Sequence, residues 1–345
     1  MLYIHGIGHF HPETVIDNAF FESLDIGTSN AWIVDRVGIH ERRTVLPLDY
    51  IRDTRNDEPR AAHEASIYTN AETGARAAQL ALERAGLNPS DIGMVIAGGC
   101  SPQYLIPAEA CIIAAELGID APAIDVNSAC SSFIAHLRFL SDMRPDTAPE
   151  FTLIVNVENT TRTVNYRDRG TAVLWGDGSS AAVVSHRVPA RVRVHATTFT
   201  SDPSGWTKVR IPAGGFFDQS GPAVQAFAIR KTTATVKELM SGLDAPALPE
   251  DHSYAIVPSR ADAAWFIGHQ ANLTMLQSAA DRAGLDVARH LYNVDRFGNC
   301  GAAGAPSVLS QNWDRFADGD VLAIVTVGSG LSWGGALIKF DGETA

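Results

Sequence analysis

The chain repeats one pattern of strands, turns and helices, and this repetition constrains its fold more than any other feature. A glycine turn leading into an apolar strand occurs at residues 175–184 and again at residues 328–338. A strand runs into a small-residue turn that opens a helix at Cys130 and again at Cys300. Short apolar runs that alternate with helical patterns are typical of α/β layering. The sequence therefore predicts two α/β halves of similar order, joined near residues 187–191.

The predicted elements follow one another in the same order in both halves. First-half strands are predicted at residues 3–8, 94–98, 123–126, 152–157 and 180–185. Second-half strands are predicted at residues 192–198, 265–268, 291–294, 322–327 and 336–340. Helices are predicted at residues 71–85, 108–117, 131–143, 225–240 and 273–283. We expect the two halves to span residues 1–187 and 188–345.

The segment 43–68 lies outside the duplicated pattern. It is polar and rich in Arg, Asp, Glu and Pro. Long insertions of this kind run over the surface and are often functional. We therefore expect a surface excursion of the first half that acts as a lid or as a partner-contact loop.

Composition and charge exclude several classes of protein. Hydrophobic residues make up 46% of the 345 residues, which is too apolar for a disordered chain. A chain of this length buries a large core without disulfides or a structural metal. The 27 basic residues are outnumbered by 39 acidic ones, for a net charge of −12. Such a chain is a poor binder of nucleic acids and anionic membranes, so neither is an expected partner.

The sequence favours a cytoplasmic location. Residues 1–10 lack the basic segment and apolar run of a signal peptide. The uncharged stretch 321–338 is long enough for a membrane helix, but its interior, VGSGLSWGG, favours a strand, a turn and a second strand. The four cysteines form no CxxC pair and have no His at metal-ligand spacing. We therefore expect reduced thiols and no metal site.

Cys130 is the candidate nucleophile. It follows an apolar strand and a tight turn, and an amphipathic helix begins just after it. The positive end of a helix dipole and nearby free N–H groups lower a thiol pKa and favour the nucleophilic thiolate. The alternative is a small buried cysteine with a structural role only, which is common for free cysteines. For Cys100 and Cys111, in or beside apolar elements, the structural interpretation is favoured.

His269 and Asn299 are candidate partners of this nucleophile. Each lies between a predicted strand and the helix that follows it. Strand ends are where sites collect in layered α/β proteins, and a thioester-forming cysteine needs hydrogen-bond partners and an oxyanion hole. Taken singly, a histidine is often structural, and an asparagine after glycine often makes a turn. His5, His11 and His136 have no such context and are predicted to be structural.

Several sequence motifs, taken together, resemble those of the β-ketoacyl-acyl-carrier-protein synthase III family of condensing enzymes. The motifs are NSACSS, FIGHQAN, DRFGN, WGDGSSAAVV and GSGLSWGGALIKF, with GIGHFHPETVIDN and WIVDRVGIHERR near the start. The resemblance covers nearly the whole chain. It implies an α/β thiolase-like fold, a five-layer α-β-α-β-α sandwich of two duplicated βαβαβαββ halves.

The resemblance also implies a Cys-His-Asn triad. Cys130 would be acylated, and His269 and Asn299 would donate hydrogen bonds to a thioester carbonyl and stabilise an enolate. The N–H of Cys130 and one from Ser329 or Gly330 would form the oxyanion hole. No cofactor is implied, because the substrates are phosphopantetheine thioesters of coenzyme A or acyl carrier protein.

Substrate and partner contacts follow from the same resemblance. Trp32 and Arg169 match positions that flank the adenine of coenzyme A, and Arg36 matches one near its phosphates. For each, the alternative is an ordinary surface aromatic or ion pair. The family also implies a homodimer, in which a loop within residues 98–117 lines the partner's pocket.

Some residues depart from the family pattern. Ser329 replaces the second catalytic cysteine of true thiolases, and the loop lacks the GFGPG of chalcone synthases. Thr274 replaces an arginine that contacts the acyl carrier, which puts the usual docking in doubt. Ile106 replaces a bulky aromatic residue at the pocket of the neighbouring subunit and leaves room for a longer chain. The segment 43–68 is longer than in housekeeping members and resembles that of homologues that fuse two acyl chains into dialkylresorcinols or α-pyrones.

The favoured function is therefore the condensation of two sizeable acyl chains through an acyl-Cys130 intermediate. One alternative is transfer of the acyl group from Cys130 to an alcohol or amine, which gives an ester or amide. Another is the initiation of fatty acid synthesis from an acetyl group. A third, a catalytically silent thiolase-fold partner, is disfavoured because such a subunit has no chemical need for Cys130, His269 and Asn299 together.

Overall fold

The computed structural model describes residues 1–241 and 264–342. The strands of this part are β1 (Leu2–Phe10), β2 (Val15–Asp17), β3 (Glu41–Arg43), β4 (Met94–Ala97), β5 (Ala123–Asp125), β6 (Thr152–Glu158), β7 (Gly178–Ser185), β8 (Val192–Ser201), β9 (Val209–Arg210), β10 (Asp218–Gln219), β11 (Trp265–Gly268), β12 (His290–Leu291), β13 (Val321–Gly328) and β14 (Ser332–Phe340). The helices are α1 (Asn18–Ser23), α2 (Asn30–Val37), α3 (Leu48–Thr54), α4 (Pro59–Ala65), α5 (Asn70–Ala85), α6 (Glu109–Leu117), α7 (Ser132–Ser141), α8 (Arg169–Ala172), α9 (Gly221–Ser241), α10 (Leu273–Ala283), α11 (Val294–Phe297) and α12 (Gly301–Gln311).

The strand pairing repeats from one half of the chain to the other. The main sheet has the order β12-β11-β13-β14-β8-β1-β7-β6-β4-β5. In the first half, β4 is parallel to β5 and β6, while β7 is antiparallel to β6 and β1. In the second half, β11 is parallel to β12 and β13, while β14 is antiparallel to β13 and β8. Because β1 pairs with β8, the two halves meet strand to strand.

The helices complete five layers. Helix α5 packs on β1, β6 and β7 and contacts α6, while α9 packs on β8, β13 and β14 and contacts α10. Helices α7 and α12 contact strands of both halves and therefore lie between them. The approach of α5 to the sheet is close, because a Cβ at Gly6 or Gly8 would overlap carbonyl oxygens of that helix. The order of layers is α-β-α-β-α.

One predicted strand is wrong. Residues 291–294 were expected to be extended, but β12 ends at Leu291 and α11 begins at Val294. The buried side chain of Gln270 accepts hydrogen bonds from the N–H groups of Asn293 and Val294, at 3.0 and 3.2 Å. These bonds replace the ones a neighbouring strand would supply. The other predicted strands and helices are confirmed, with ends shifted by up to four residues.

The segment 43–68 is more ordered than a surface loop. It contains α3 and α4, and Val45, Leu46 and Ile51 are fully buried. Asn56 is also fully buried, and its Nδ2 donates to the carbonyl oxygens of Arg162 and Val164 at 2.9 Å. The segment is therefore packed onto the first half, and its role as a lid or as a partner-contact loop stays a prediction.

Across residues 1–241 and 264–342, every helix falls short of the length or apolar character that a membrane span needs. The uncharged stretch 321–338 forms β13, a turn and most of β14, as expected.

Candidate active site

Cys130 lies in a turn between β5 and α7. It belongs to a single 3-10 turn, Ala129–Ser131, and is 6% exposed. Ala129 has a φ of 47°, in the left-handed region, which is uncommon for a residue with a side chain. Asn127 supports this conformation, because its Oδ1 accepts from the N–H of Ala129 at 2.7 Å. The turn thus holds the thiol at the start of a helix, as expected from the sequence.

The glycine turn after β13 lies against the amide of Cys130. A Cβ at Gly328 would lie 3.3 Å from the Cys130 nitrogen and 2.9 Å from the Ser131 nitrogen. Ser329 Oγ donates to the carbonyl of Val209 at 2.5 Å, which fixes the turn. Gly330 has a φ of 133°, a value that favours glycine. The two backbone segments expected to form the oxyanion hole are therefore neighbours.

His269 follows directly on β11 and is 5% exposed. The next residue, Gln270, is fully buried, and its Nε2 donates to the carbonyl of Gly268 at 2.7 Å. Through its bonds to Asn293 and Val294, Gln270 ties the His269 loop to the segment that leads to Asn299. The backbone around the imidazole is thus held from both sides.

Asn299 lies between α11 and α12, and backbone hydrogen bonds hold it in place. Its N–H donates to the carbonyl of Leu174 at 2.8 Å, and its carbonyl accepts from the N–H of Gly176 at 3.2 Å. Its side-chain Oδ1 accepts from the N–H of Gly301 at 3.0 Å. Because Oδ1 is engaged in this way, the amide presents Nδ2 as its donor.

Cys130, His269 and Asn299 line one cavity of about 70 Å³. Its remaining walls are mostly apolar and include Val224, Phe227, Ala228, Met275, Val327 and Leu331. A second cavity of about 130 Å³ also borders Cys130 and is lined by Cys100, Asn127, Arg210 and Ile211, among others. Both cavities share Cys130, Trp175, Val209, Phe217 and Ser329. Within the described part of the chain, no cluster of three or more His, Cys, Asp or Glu side chains suits a metal ion.

The Cys130 thiol is electrostatically favoured as a thiolate. A hydrogen bond with Cys100 holds the pKa of Cys130 well below its ordinary value, and the imidazole of His269 acts in the same direction. Burial of the thiol raises its pKa, but this effect is smaller than the combined lowering by Cys100 and His269. By contrast, burial raises the pKa of Cys300 well above its usual range. Of the buried cysteines, Cys130 is thus the one prepared to act as a nucleophile.

The sequence favoured a structural role for Cys100 and did not predict its contact with Cys130. Its Sγ lies 3.4 Å from Cys130 Sγ, within the candidate active site. The duplication of the two halves could have predicted that Cys100 lies near Cys130. The loop after β4, which contains Cys100, is the first-half counterpart of the loop after β11, which contains His269.

The residues expected to contact coenzyme A form a cluster. The guanidinium groups of Arg36 and Arg169 lie 5.5 and 5.1 Å from the ring centre of Trp32. Both arginines are exposed and Trp32 is half-buried. Thr274 lies beside this cluster, because its hydroxyl donates to the carbonyl of Arg36 at 3.1 Å.

Ile106 lies away from both cavities. Its side chain is 85% exposed, as is that of Leu105, while Tyr104 is 55% exposed. The three residues form an apolar loop between β4 and α6, so a single chain does not bring Ile106 to Cys130.

Two family models match parts of this chain. The model described as 3-oxoacyl-[acyl-carrier-protein (ACP)] synthase III matches residues 124–203, and the corresponding C-terminal model matches residues 258–340. A beta-ketoacyl-[acyl-carrier-protein] synthase III of Coxiella burnetii is 30% identical over 97% of this chain and 98% of its own length.

Solved structures show the same architecture. The 3-oxoacyl-[acyl-carrier-protein] synthase III from Aquifex aeolicus has a TM-score of 0.84 and 25% identity, covering 99% of this chain and 100% of its own. The beta-ketoacyl-[acyl-carrier-protein] synthase III from Thermus thermophilus has a TM-score of 0.81 and 29% identity, covering 99% of both chains. The predicted thiolase-like fold class is confirmed.

Proposed function

This chain belongs to the 3-oxoacyl-[acyl-carrier-protein] synthase III family, and from that membership we propose that it joins two acyl chains by Claisen-type condensation through an acyl-Cys130 intermediate. The observation that carries the proposal is the convergence of Cys130, His269 and Asn299 on one mostly apolar cavity. The first is a thiol with a lowered pKa, and the other two are potential hydrogen-bond donors.

In the loading step, the Cys130 thiolate attacks the carbonyl carbon of an acyl thioester, and the donor's thiolate leaves and takes up a proton. The carbonyl oxygen becomes an oxyanion during the attack. Its stabilisation is assigned to the N–H of Cys130 and to the turn at Ser329 and Gly330, which lies beside that amide.

In the condensation step, a β-ketoacyl or malonyl thioester loses a proton or carbon dioxide to give an enolate. The side chains of His269 and Asn299 are proposed to donate hydrogen bonds to the enolate oxygen. The carbanion then attacks the acyl-Cys130 carbonyl, the new C–C bond forms, and the thiolate of Cys130 is expelled.

Two features support sizeable acyl chains. Two cavities meet at Cys130, and in this proposal each acyl chain occupies one of them. Ile106 also replaces a bulkier aromatic residue at the proposed contact with the partner subunit. Each methylene that a longer chain buries contributes roughly 0.8 kcal/mol, so several of them strongly favour a medium or long chain over acetyl.

The cluster of Trp32, Arg36 and Arg169 supports delivery as phosphopantetheine thioesters. The Trp32 indole and the Arg169 guanidinium suit the two faces of an adenine ring, and the Arg36 guanidinium suits the phosphates of coenzyme A. Carrier-protein delivery is proposed alongside it, with Thr274 marking a docking mode that lacks the usual arginine. Such thioesters are cytoplasmic, so the proposed location is the cytoplasm.

The test compares acyl donors on the purified protein. Mass spectrometry of the Cys130 peptide should show faster loading from octanoyl-coenzyme A than from acetyl-coenzyme A. Addition of a β-ketoacyl thioester should then give a product with a new C–C bond. Preferred loading of acetyl would return the protein to the initiation of fatty acid synthesis. Loading followed only by ester or amide formation with added alcohols or amines would assign it to acyl transfer.

A further inference from the structure

Cys100 is held against Cys130 by a buried carboxyl group. The backbone N–H of Cys100 donates to both oxygens of Glu158 at 3.0 Å. Glu158 is fully buried and also accepts from the N–H of Ala302 at 2.8 Å, at the start of α12. The loop after β4 is thus fixed to a central helix, and this fixes the position of the Cys100 thiol.

Two sulfur atoms 3.4 Å apart interact through one proton, which one of them donates. The groups around each sulfur determine which of the two keeps this proton. His269 lies beside Cys130 and favours its thiolate form. Helix α7 begins two residues after Cys130, and a helix N-terminus also favours a negative charge. The hydrogen bond with Cys130, burial and the neighbouring Glu158 carboxyl all raise the pKa of Cys100. This contrast between the two surroundings favours Cys100 as the donor of the pair.

We propose that Cys100 is a positioning residue for the nucleophile, because its S–H donates a hydrogen bond to the Cys130 thiolate. In the free protein this bond raises the share of reactive thiolate. The consequence for condensation rests on the proposed function. When the C–C bond forms and the bond between the acyl carbon and Cys130 Sγ breaks, the electron pair returns to that sulfur. The S–H of Cys100 stabilises the departing thiolate without being consumed.

The other charged or titratable groups near Cys130 must stay unchanged in a test. They are His269 in the loop after β11, Glu158 at the end of β6, and Arg210 in the wall of the second cavity. The informative variants are therefore Cys100→Ala, which removes the donor, and Cys100→Ser, which keeps a donor of similar size. Thr147→Ala is the control, because Thr147 is exposed in the loop after α7, outside both cavities and outside the predicted interface.

The first measurement is the pH dependence of iodoacetamide labelling at Cys130, followed by mass spectrometry of its peptide. We expect Cys100→Ala to shift this profile upward by about one pH unit, which lowers labelling at neutral pH roughly tenfold. At high pH, where Cys130 is ionised in every variant, the rates should converge. Cys100→Ser should recover most of the loss, and Thr147→Ala should match the unmodified sequence. Identical profiles for Cys100→Ala and the unmodified chain would overturn the proposal.

The second measurement separates positioning from a role as cavity wall. With octanoyl-coenzyme A, Cys100→Ala should lower kcat for loading several-fold and leave KM unchanged. A raised KM with an unchanged labelling profile would assign Cys100 to the cavity wall alone and overturn the proposal. The labelling experiment uses no acyl substrate, so it remains decisive even if the condensation reaction itself is not observed.

Discussion

At the scale of single residues, alanine substitutions of the three members of the proposed triad should affect loading and condensation differently. Asn299→Ala should load acyl chains onto Cys130 at the original rate but lose about 10²–10³ in C–C bond formation, because an enolate donor is removed. His269→Ala should show the same loss, with loading slowed only at neutral pH, where the imidazole favours the thiolate. Intact-protein mass spectrometry reports loading, and product formation reports condensation. Cys130→Ala, which loses both, is the control. Equal losses in loading and condensation for Asn299→Ala would show that the wrong step is assigned.

Glu158 gives a residue-scale prediction on stability. Burial raises its pKa to about 8, so between pH 6.5 and 8 the folded protein retains a proton that the unfolded chain has lost. Stability therefore falls as pH rises, by up to about 1.4 kcal/mol per pH unit from this group, and no further above pH 8. Glu158→Gln should remove this contribution, and urea unfolding of both proteins at pH 6.5, 7.2 and 8 measures it. A difference between them that stays constant with pH would refute the prediction.

Part of the candidate site can be predicted from the sequence alone. The convergence of Cys130, His269 and Asn299 on one cavity was predictable, because each follows a strand in a repeated pattern and strand ends collect at one place in layered α/β folds. Cys100 was not, because its relation to Cys130 is a distance of 3.4 Å between residues thirty positions apart. Local sequence does not encode such a distance.

At the scale of elements, the α3–α4 segment depends on Asn56. This residue has a φ of 51°, which asparagine tolerates well, and its buried Nδ2 donates to two backbone carbonyls at 2.9 Å. Asn56→Ala leaves these acceptors unsatisfied and should lower the free energy of unfolding by about 3 kcal/mol. Urea unfolding measures the effect. Asp49→Ala, at an exposed position of α3, should change stability by less than about 0.5 kcal/mol. An unaltered stability of Asn56→Ala would mean that the segment is not anchored there.

The same element shows where sequence patterns stop being informative. The long strands and helices were predicted within a few residues, because their apolar periodicity is strong. Helices α3 and α4 are seven residues each, which is too short for an apolar periodicity to distinguish them from a loop. Tertiary contacts stabilise them, as the buried Asn56 does. The same holds for β12, where the side chain of Gln270 ends the strand.

At the scale of the whole molecule, the apolar loop of Tyr104, Leu105 and Ile106 predicts a homodimer. Large exposed apolar side chains grouped together mark an interaction site, and in the family this loop lines the partner's pocket. Light scattering should give a dimer, and Ile106→Glu should shift it toward monomer with loss of activity. Val287→Glu is the control, since Val287 is 75% exposed but lies elsewhere, just before β12. A fully active monomer would contradict both the dimer and the role assigned to Ile106.

Trp175 is 2% exposed and forms a wall of both cavities that meet at Cys130, with its ring centre 4.7 Å from that of Phe217. Indole emission depends on the polarity of its surroundings, so the protein contains its own optical reporter. An acyl chain that arrives on Cys130 enters a cavity that this indole lines and should therefore change its fluorescence. Subtraction of the Trp175→Phe signal removes the other five tryptophans. Acylation can thus be followed in real time by stopped-flow fluorescence without any labelled substrate.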